Sequence, residues 1–168
     1  FALNVADITL ALRLANRGHL FGATPREQAG WLDQALLHGD DVDERTLVDA
    51  SAARAATAMG MSDFASAERF WQGALDGYRR LGAGADESSA LRGLAVVAAN
   101  AHDFDRARTL LEQARAAAER ARDRSQTYHA LHALAETELW RGNLDAAEQL
   151  FARSARLAQQ AGDRLLTN

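Results

Sequence analysis

Three stretches decide the fold: SDFASAERFWQGAL at residues 62–75, HDFDRARTLLEQAR at 102–115 and GNLDAAEQLFARSA at 142–155. They align without gaps at steps of 40 residues. Asp63, Asp103 and Asn143 coincide, and each can cap a helix by accepting a hydrogen bond from an orphan N–H. A large apolar residue follows (Phe64, Phe104, Leu144), then a small one (Ala67, Ala107, Ala147), a bulky one (Trp71, Leu111, Phe151) and another small one (Ala74, Ala114, Ser154). Steps of three and four residues put these on one helical face. The spacing predicts Trp71, Leu111 and Phe151 buried at equivalent places between neighbouring hairpins.

The preceding helix repeats as well. Leu91, Leu94 and Ala95 match Leu131, Leu134 and Ala135, and the alanine recurs as Ala55. Small residues at fixed places let two backbones approach while bulky ones fill the holes between them. A degenerate copy lies upstream: Thr24-Pro25-Arg26-Glu27 reads as a capping box with proline at the first helical position. The following GWLDQAL, with Gly30, Trp31 and Ala35, parallels ERFWQGAL. The pattern predicts eight helices, over 5–21, 25–38, 44–59, 64–81, 87–101, 104–121, 125–141 and 144–161. Gly60, Gly82 and Gly162 are expected to supply left-handed caps. Asp40, Asp41, Asp43 and Glu44 read as a loop and a first helical turn.

Composition agrees with helix throughout: the 168-residue chain is 48% apolar with a single proline. No strand pattern, domain linker or low-complexity tract interrupts it. All 19 basic residues are arginine, which removes Schiff-base chemistry, a lysine base and the phosphate-binding lysine of a P-loop. Without cysteine there is no disulfide framework or thiolate nucleophile, a pattern that suits the cytoplasm. A net charge of −4 provides no footprint for a nucleic-acid backbone. No apolar run approaches the ~20 residues needed to span a bilayer. Ser125 and His129 sit at i and i+4 with nothing to orient the imidazole, so no enzyme activity is expected. No cofactor is implied.

The repeated segments resemble tetratricopeptide repeats over most of the chain. Those beginning at Asp63, Asp103 and Asn143 look like that family's second-helix signature, and Ala55, Ala95 and Ala135 match its first-helix small residue. The period of 40 exceeds the usual ~34 and the repeat-end proline is missing, so longer helices are expected. The resemblance implies an all-α fold, a right-handed superhelix of antiparallel hairpins (TPR-like α-solenoid) with about four helix pairs. It places repeats at about 1–40, 41–82, 83–122 and 123–162 in a single domain, with a fifth beginning at 163–168. This longer, Ala/Leu/Arg-rich variety is similar to the C-terminal repeat regions of large bacterial signalling ATPases and LuxR-type transcriptional regulators. HEAT and armadillo repeats share the period but not the small-aromatic-small alternation.

In that family a concave groove is lined by the first helix of each pair. Its positions carry over to Asp49, Ala52, Ala56 and Met59; to Ser89, Arg92, Val96, Ala99 and Asn100; and to His129, His132, Glu136, Leu139 and Trp140. The last set holds two imidazoles, a carboxylate and an indole, suited to a peptide or a small polar ligand. The bland reading is ordinary solvated surface, with Trp140 packed on the next repeat. His129, His132 and Glu136 span roughly 10 Å along the helix axis, too far for one metal ion, and no metal is expected. Arginines 106, 108, 115, 120, 122 and 124 alternate with Asp105, Glu112, Glu119 and Asp123, which reads as pair-laced surface rather than a nucleic-acid patch.

Three functional readings follow: a protein–protein interaction scaffold, a small-molecule effector-binding domain, and a passive spacer or oligomerisation module. The expected partner is a protein or peptide segment in the groove, or another domain of a longer parent protein, of which this chain reads as an excised piece. No direct contact with nucleic acid or membrane is expected. Leu144, Leu150, Phe151, Leu157 and Ala158 give the last hairpin an apolar face that predicts further repeats or self-association through the C-terminal hairpin.

Overall fold

The computed structural model describes residues 24–37 and 42–161, and within them the chain is helix joined by short turns. In chain order the helices are α1 (Pro25–Leu37), α2 (Glu44–Gly60), α3 (Phe64–Arg80), α4 (Gly84–Asn100), α5 (Phe104–Arg120), α6 (Arg124–Trp140) and α7 (Leu144–Ala161). They pack as sequential antiparallel pairs, the TPR-like arrangement expected. The helix expected over 5–21, the cap at Gly162 and the start of a fifth repeat lie outside the described residues. The chain divides into two compact units, Phe1–Leu81 and Gly82–Asn168, each with its own packing.

One turn recurs five times. Ser62, Gly82, His102, Arg122 and Gly142 all adopt left-handed backbone, with φ of 58°, 64°, 59°, 54° and 82°. They lie 20 residues apart, so each 17-residue helix with its three-residue turn is half of the 40-residue repeat. At Ser62 the geometry is a Schellman motif. The Ser62 N–H donates to the Met59 carbonyl at 3.0 Å, and the Asp63 N–H to the Ala58 carbonyl at 2.9 Å. The Asp63 carboxylate then accepts from the Ser66 N–H at 3.1 Å, so one residue ends α2 and caps α3. Asp103 and Asp123 repeat this, accepting from Arg106 at 3.0 Å and Gln126 at 2.9 Å. The hydrogen bonds with Ser66, aided by Arg54 and Arg69, hold the Asp63 carboxyl below its ordinary pKa.

The turns correct three expectations. The left-handed residue after α2 is Ser62 and not Gly60, which closes the helix itself. Helix α4 starts at Gly84 rather than 87, because the turn keeps its 20-residue interval. There a β-carbon at Gly84 would come 3.1 Å from the Ala121 side chain, so glycine lets α4 lie close on α5. Asp123, not singled out as a cap, is one. The remaining described boundaries fall within one residue of expectation, and the Thr24–Glu27 box forms. The Thr24 N–H reaches the Glu27 carboxylate at 2.9 Å, and the Glu27 N–H reaches the Thr24 hydroxyl at 3.3 Å. Those hydrogen bonds to Thr24 lower the Glu27 pKa.

The small repeat positions form the core. Ala67, Ala107 and Ala147, then Ala74, Ala114 and Ser154, then Ala55, Ala95 and Ala135 are all buried. In the first unit α2 packs against α1 and α3, with Leu32, Ala35, Val42 and Ala50 together. In the second, α4 pairs with α5 and α6 with α7, around Ala95, Ala98, Ala107, Leu111 and Leu134. The bulky series does not behave uniformly. Leu111 is buried, but Trp71 and Phe151 are only half-buried. The upstream copy shows the same preference: Leu32 is fully buried and the neighbouring Trp31 is 49% exposed.

Candidate functional site

The proposed groove residues belong to both units. In the first, Asp49 is engaged on the seam with α3, receiving the Arg45 guanidinium at 3.0 Å and the Tyr78 hydroxyl at 2.9 Å. Met59 is half-buried near the end of α2. Neither forms a feature beyond its own hairpin.

The second unit carries the chemistry. Its two first-helices, α4 and α6, lie side by side and show matching exposure along residues 92–98 and 132–138, diverging at buried Ala99 and exposed Leu139. Near their start, the Arg92 Nη2 donates to the Gln126 Oε1 at 2.9 Å, while its Nε is buried without a partner. Burial lowers the Arg92 pKa without threatening its charge. Arg92 has no ion pair with a carboxylate among the described residues, unlike Arg115, which Glu112 and Glu119 hold at 3.1 and 3.0 Å.

Near their ends the same helices present an apolar and amide-bearing surface. Trp140 is 61% exposed and its ring lies 6.2 Å from that of Phe104. Phe104 meets the His102 ring edge-on at 5.9 Å. Together with Ala99 and Asn100 these rings bound an open cleft of about 430 Å³. Val96 is exposed beside it, and the Asn100 amide donates back to the Val96 carbonyl at 2.9 Å. Trp140 therefore does not disappear into packing.

The histidines play a different part. His132 stands edge-on to Tyr128 at 5.7 Å and to Phe151 at 5.2 Å, and its Nδ1 is 3.9 Å from Glu136. His129 meets Tyr128 at 5.1 Å. The imidazoles complete an aromatic row linking α6 to α7. No group of three potential metal ligands occurs among the described residues.

Of the residues expected in the groove, Val96, Asn100 and Trp140 lie at or beside this cleft, and Phe104 and His102, not expected there, join them. From sequence Phe104 is only the apolar residue after a cap; it is half-buried, and its counterpart Leu144 is 63% exposed.

No family model matches the chain, and no curated protein sequence does. Solved structures do. Aspartyl phosphate phosphatase F from Bacillus subtilis superposes with a TM-score of 0.87 at 12% identity, covering 99% of this chain and 44% of that one. A Rap protein complexed with competence and sporulation factor gives 0.83 at 16%, covering 99% and 46%. BtubC (BKLC) from P. vanneervenii gives 0.79 at 19%, covering 94% and 64%. The chain thus spans less than two thirds of each. At such identities the likeness establishes the fold, a TPR-like helical repeat domain. Among the described residues no helix is long and apolar enough to cross a membrane.

Proposed function

We propose that this chain is a non-catalytic protein–protein interaction scaffold that holds an extended peptide segment along α4 and α6. The observation that carries the reading is Trp140, largely exposed yet backed by Phe104 at the mouth of a cleft. An exposed, supported aromatic ring is the form that anchors take at protein interfaces. Arg92, without a carboxylate of its own, favours a segment with an acidic residue. Eight residues of helix separate Arg92 from Asn100, roughly 12 Å, which about four extended residues would cover. The Rap protein complexed with competence and sporulation factor, similar in fold, supports binding as the use of such an array. The absence of lysine and cysteine supports a binding role over covalent catalysis.

The finer reading is a regulatory repeat region of a cytoplasmic bacterial transcriptional regulator of LuxR type, or of a signalling ATPase. It rests on the 40-residue period and the Ala/Leu/Arg-rich helices. Leu139 and Leu144, 46% and 63% exposed on either side of the α6–α7 turn, favour self-association as a second reading. Selection from a displayed library of random 12-residue peptides tests the first. Acidic, apolar-anchored peptides that lose affinity about tenfold with Trp140→Ala, about 1.4 kcal/mol, are expected. Selected peptides indifferent to both Trp140→Ala and Arg92→Ala would overturn it.

A further inference from the structure

A cleft of about 640 Å³ in the second unit is a separate place from the Trp140 surface. Arg122 and Arg124 reach it from the α5–α6 turn and the start of α6, and Arg153 and Arg156 from α7. Thr127, Leu131 and Leu157 form its floor. The one carboxylate present, Glu119, already accepts from Arg115 at 3.0 Å. None of the four guanidiniums has an ion pair or hydrogen bond among the described residues, whereas Arg108, Arg115, Arg120 and Arg141 each have a carboxylate partner. In a chain of net charge −4 this is a local excess of positive charge.

The repeat shows that the cluster is an addition to the fold and not a requirement of it. Forty residues earlier, the positions of the four arginines hold Gly82, Gly84, Gln113 and Ala116. Eighty residues earlier they hold Val42, Glu44, Gly73 and Asp76. In those hairpins the same end is closed: Arg80 reaches Glu44 at 2.9 Å, Arg120 reaches Glu87 at 3.4 Å, and Gly84 lies tight against Ala121. In the last hairpin Arg124 stands where Glu44 and Gly84 stood, Thr127 replaces Glu87, and Leu157 replaces Ala117. The closing ion pair has gone, Arg120 giving way to Gln160 as Glu87 gives way to Thr127, and the four arginines stand where the preceding copy carries no charge.

We propose that this cleft binds a small phosphate-bearing anion. Guanidinium groups pair with phosphate oxygens bidentately, and four around one cavity match a multiply charged group. The volume is that of a small-molecule site and too small for a duplex. The apolar floor accepts the organic part of a phosphate ester.

Calorimetric titration of the full chain with pyrophosphate at constant ionic strength tests this. Saturable binding is expected, weakened at least tenfold by Arg124→Ala with Arg156→Ala. A control carrying Arg26→Ala and Arg106→Ala loses the same charge and should bind as the parent does. Circular dichroism keeps the test valid, because relieving like-charge repulsion should leave the double variant as helical as the parent. Adenosine triphosphate and glucose 6-phosphate distinguish the sources: either binding more tightly than pyrophosphate supports the site and identifies its ligand as nucleotide or sugar phosphate. No saturation by 10 mM, about the weakest useful metabolite affinity, or equal loss in the control, would overturn the proposal. So would a duplex oligonucleotide that binds more tightly than all three with the same arginine dependence.

Discussion

Ala83 holds its backbone at φ −85°, ψ 71°, within a degree of Asp103 at φ −86°, ψ 72°, but only Asp103 has a side chain that closes onto the helix it precedes. The turn is thus set for a cap at Ala83 that the residue cannot make. Ala83→Ser should supply it, with the hydroxyl accepting from the N–H three residues on, and should stabilise the chain by about 1 kcal/mol. Serine is preferred to aspartate because Asp86 and Glu87 already fill the first turn. Urea denaturation checks the gain; a change below about 0.3 kcal/mol would mean the orphan N–H groups there are already satisfied by water.

Two glycines one helical turn apart in α3 should respond in opposite senses to alanine. At Gly73 an added β-carbon meets nothing within 4 Å, so Gly73→Ala should gain about 0.5–1 kcal/mol from backbone entropy alone. At Gly77 it would lie 2.3 Å from Val48 Cγ2 and 2.9 Å from Cγ1. Valine is stiff at χ1 and cannot turn both methyls away. Overpacking then outweighs propensity, and Gly77→Ala should lose about 1–3 kcal/mol. Thermal melts of the two variants side by side decide it.

The contrast at Gly77 also shows what the sequence could carry. Small residues at Ala67, Ala107 and Ala147 announced close helix packing because spacing alone fixes which face they share. How deep the next position lies depends on the partner helix, which spacing does not reveal. Trp71 and Phe151 were therefore expected in the core and are only half-buried. Val96, Asn100 and Trp140 of the candidate surface were named in advance through the tetratricopeptide resemblance, which supplies the groove positions. Phe104 joins it from the following helix, a tertiary relationship with no local signature. The arginine cleft was illegible for the same reason: Arg122 and Arg124 looked like members of an alternating charged run until Arg153 and Arg156 were brought beside them.

Asp33 links α1 to α2 through a buried arginine. Arg54 is 8% exposed and donates from Nε to Asp33 Oδ1 at 2.7 Å and from Nη2 to Oδ2 at 3.2 Å, with its guanidinium 5.0 Å from the centre of the Phe70 ring. Asp33→Ala removes both acceptors and strands the cation, at a cost of about 2 kcal/mol. The carboxylate is 43% exposed, so solvent moderates the loss below that of a fully buried pair. Replacing Arg54 with methionine in the Asp33→Ala background should recover about half of the loss in chemical denaturation.

Trp140 and Phe104 allow the binding role of the candidate surface to be separated from its structural role. Phe104 packs against the core around Leu111 and Leu134 as well as against Trp140, whereas Trp140 is mostly exposed. Phe104→Ala should therefore cost about 2–3 kcal/mol, in the range for a partly buried aromatic ring. Trp140→Ala should cost less, about 1–2 kcal/mol, because most of the ring stays in water on folding. The double variant should show a coupling of about 0.5–1.5 kcal/mol, the worth of a tilted aromatic pair at this separation. Equilibrium urea unfolding of the two single variants and the double measures all three quantities. A Trp140→Ala loss near 3 kcal/mol would make the tryptophan a structural residue and remove the main support for a peptide site. A small loss with measurable coupling leaves an indole held in place by its neighbour but scarcely needed by the fold, which is the property an anchor for an incoming segment requires.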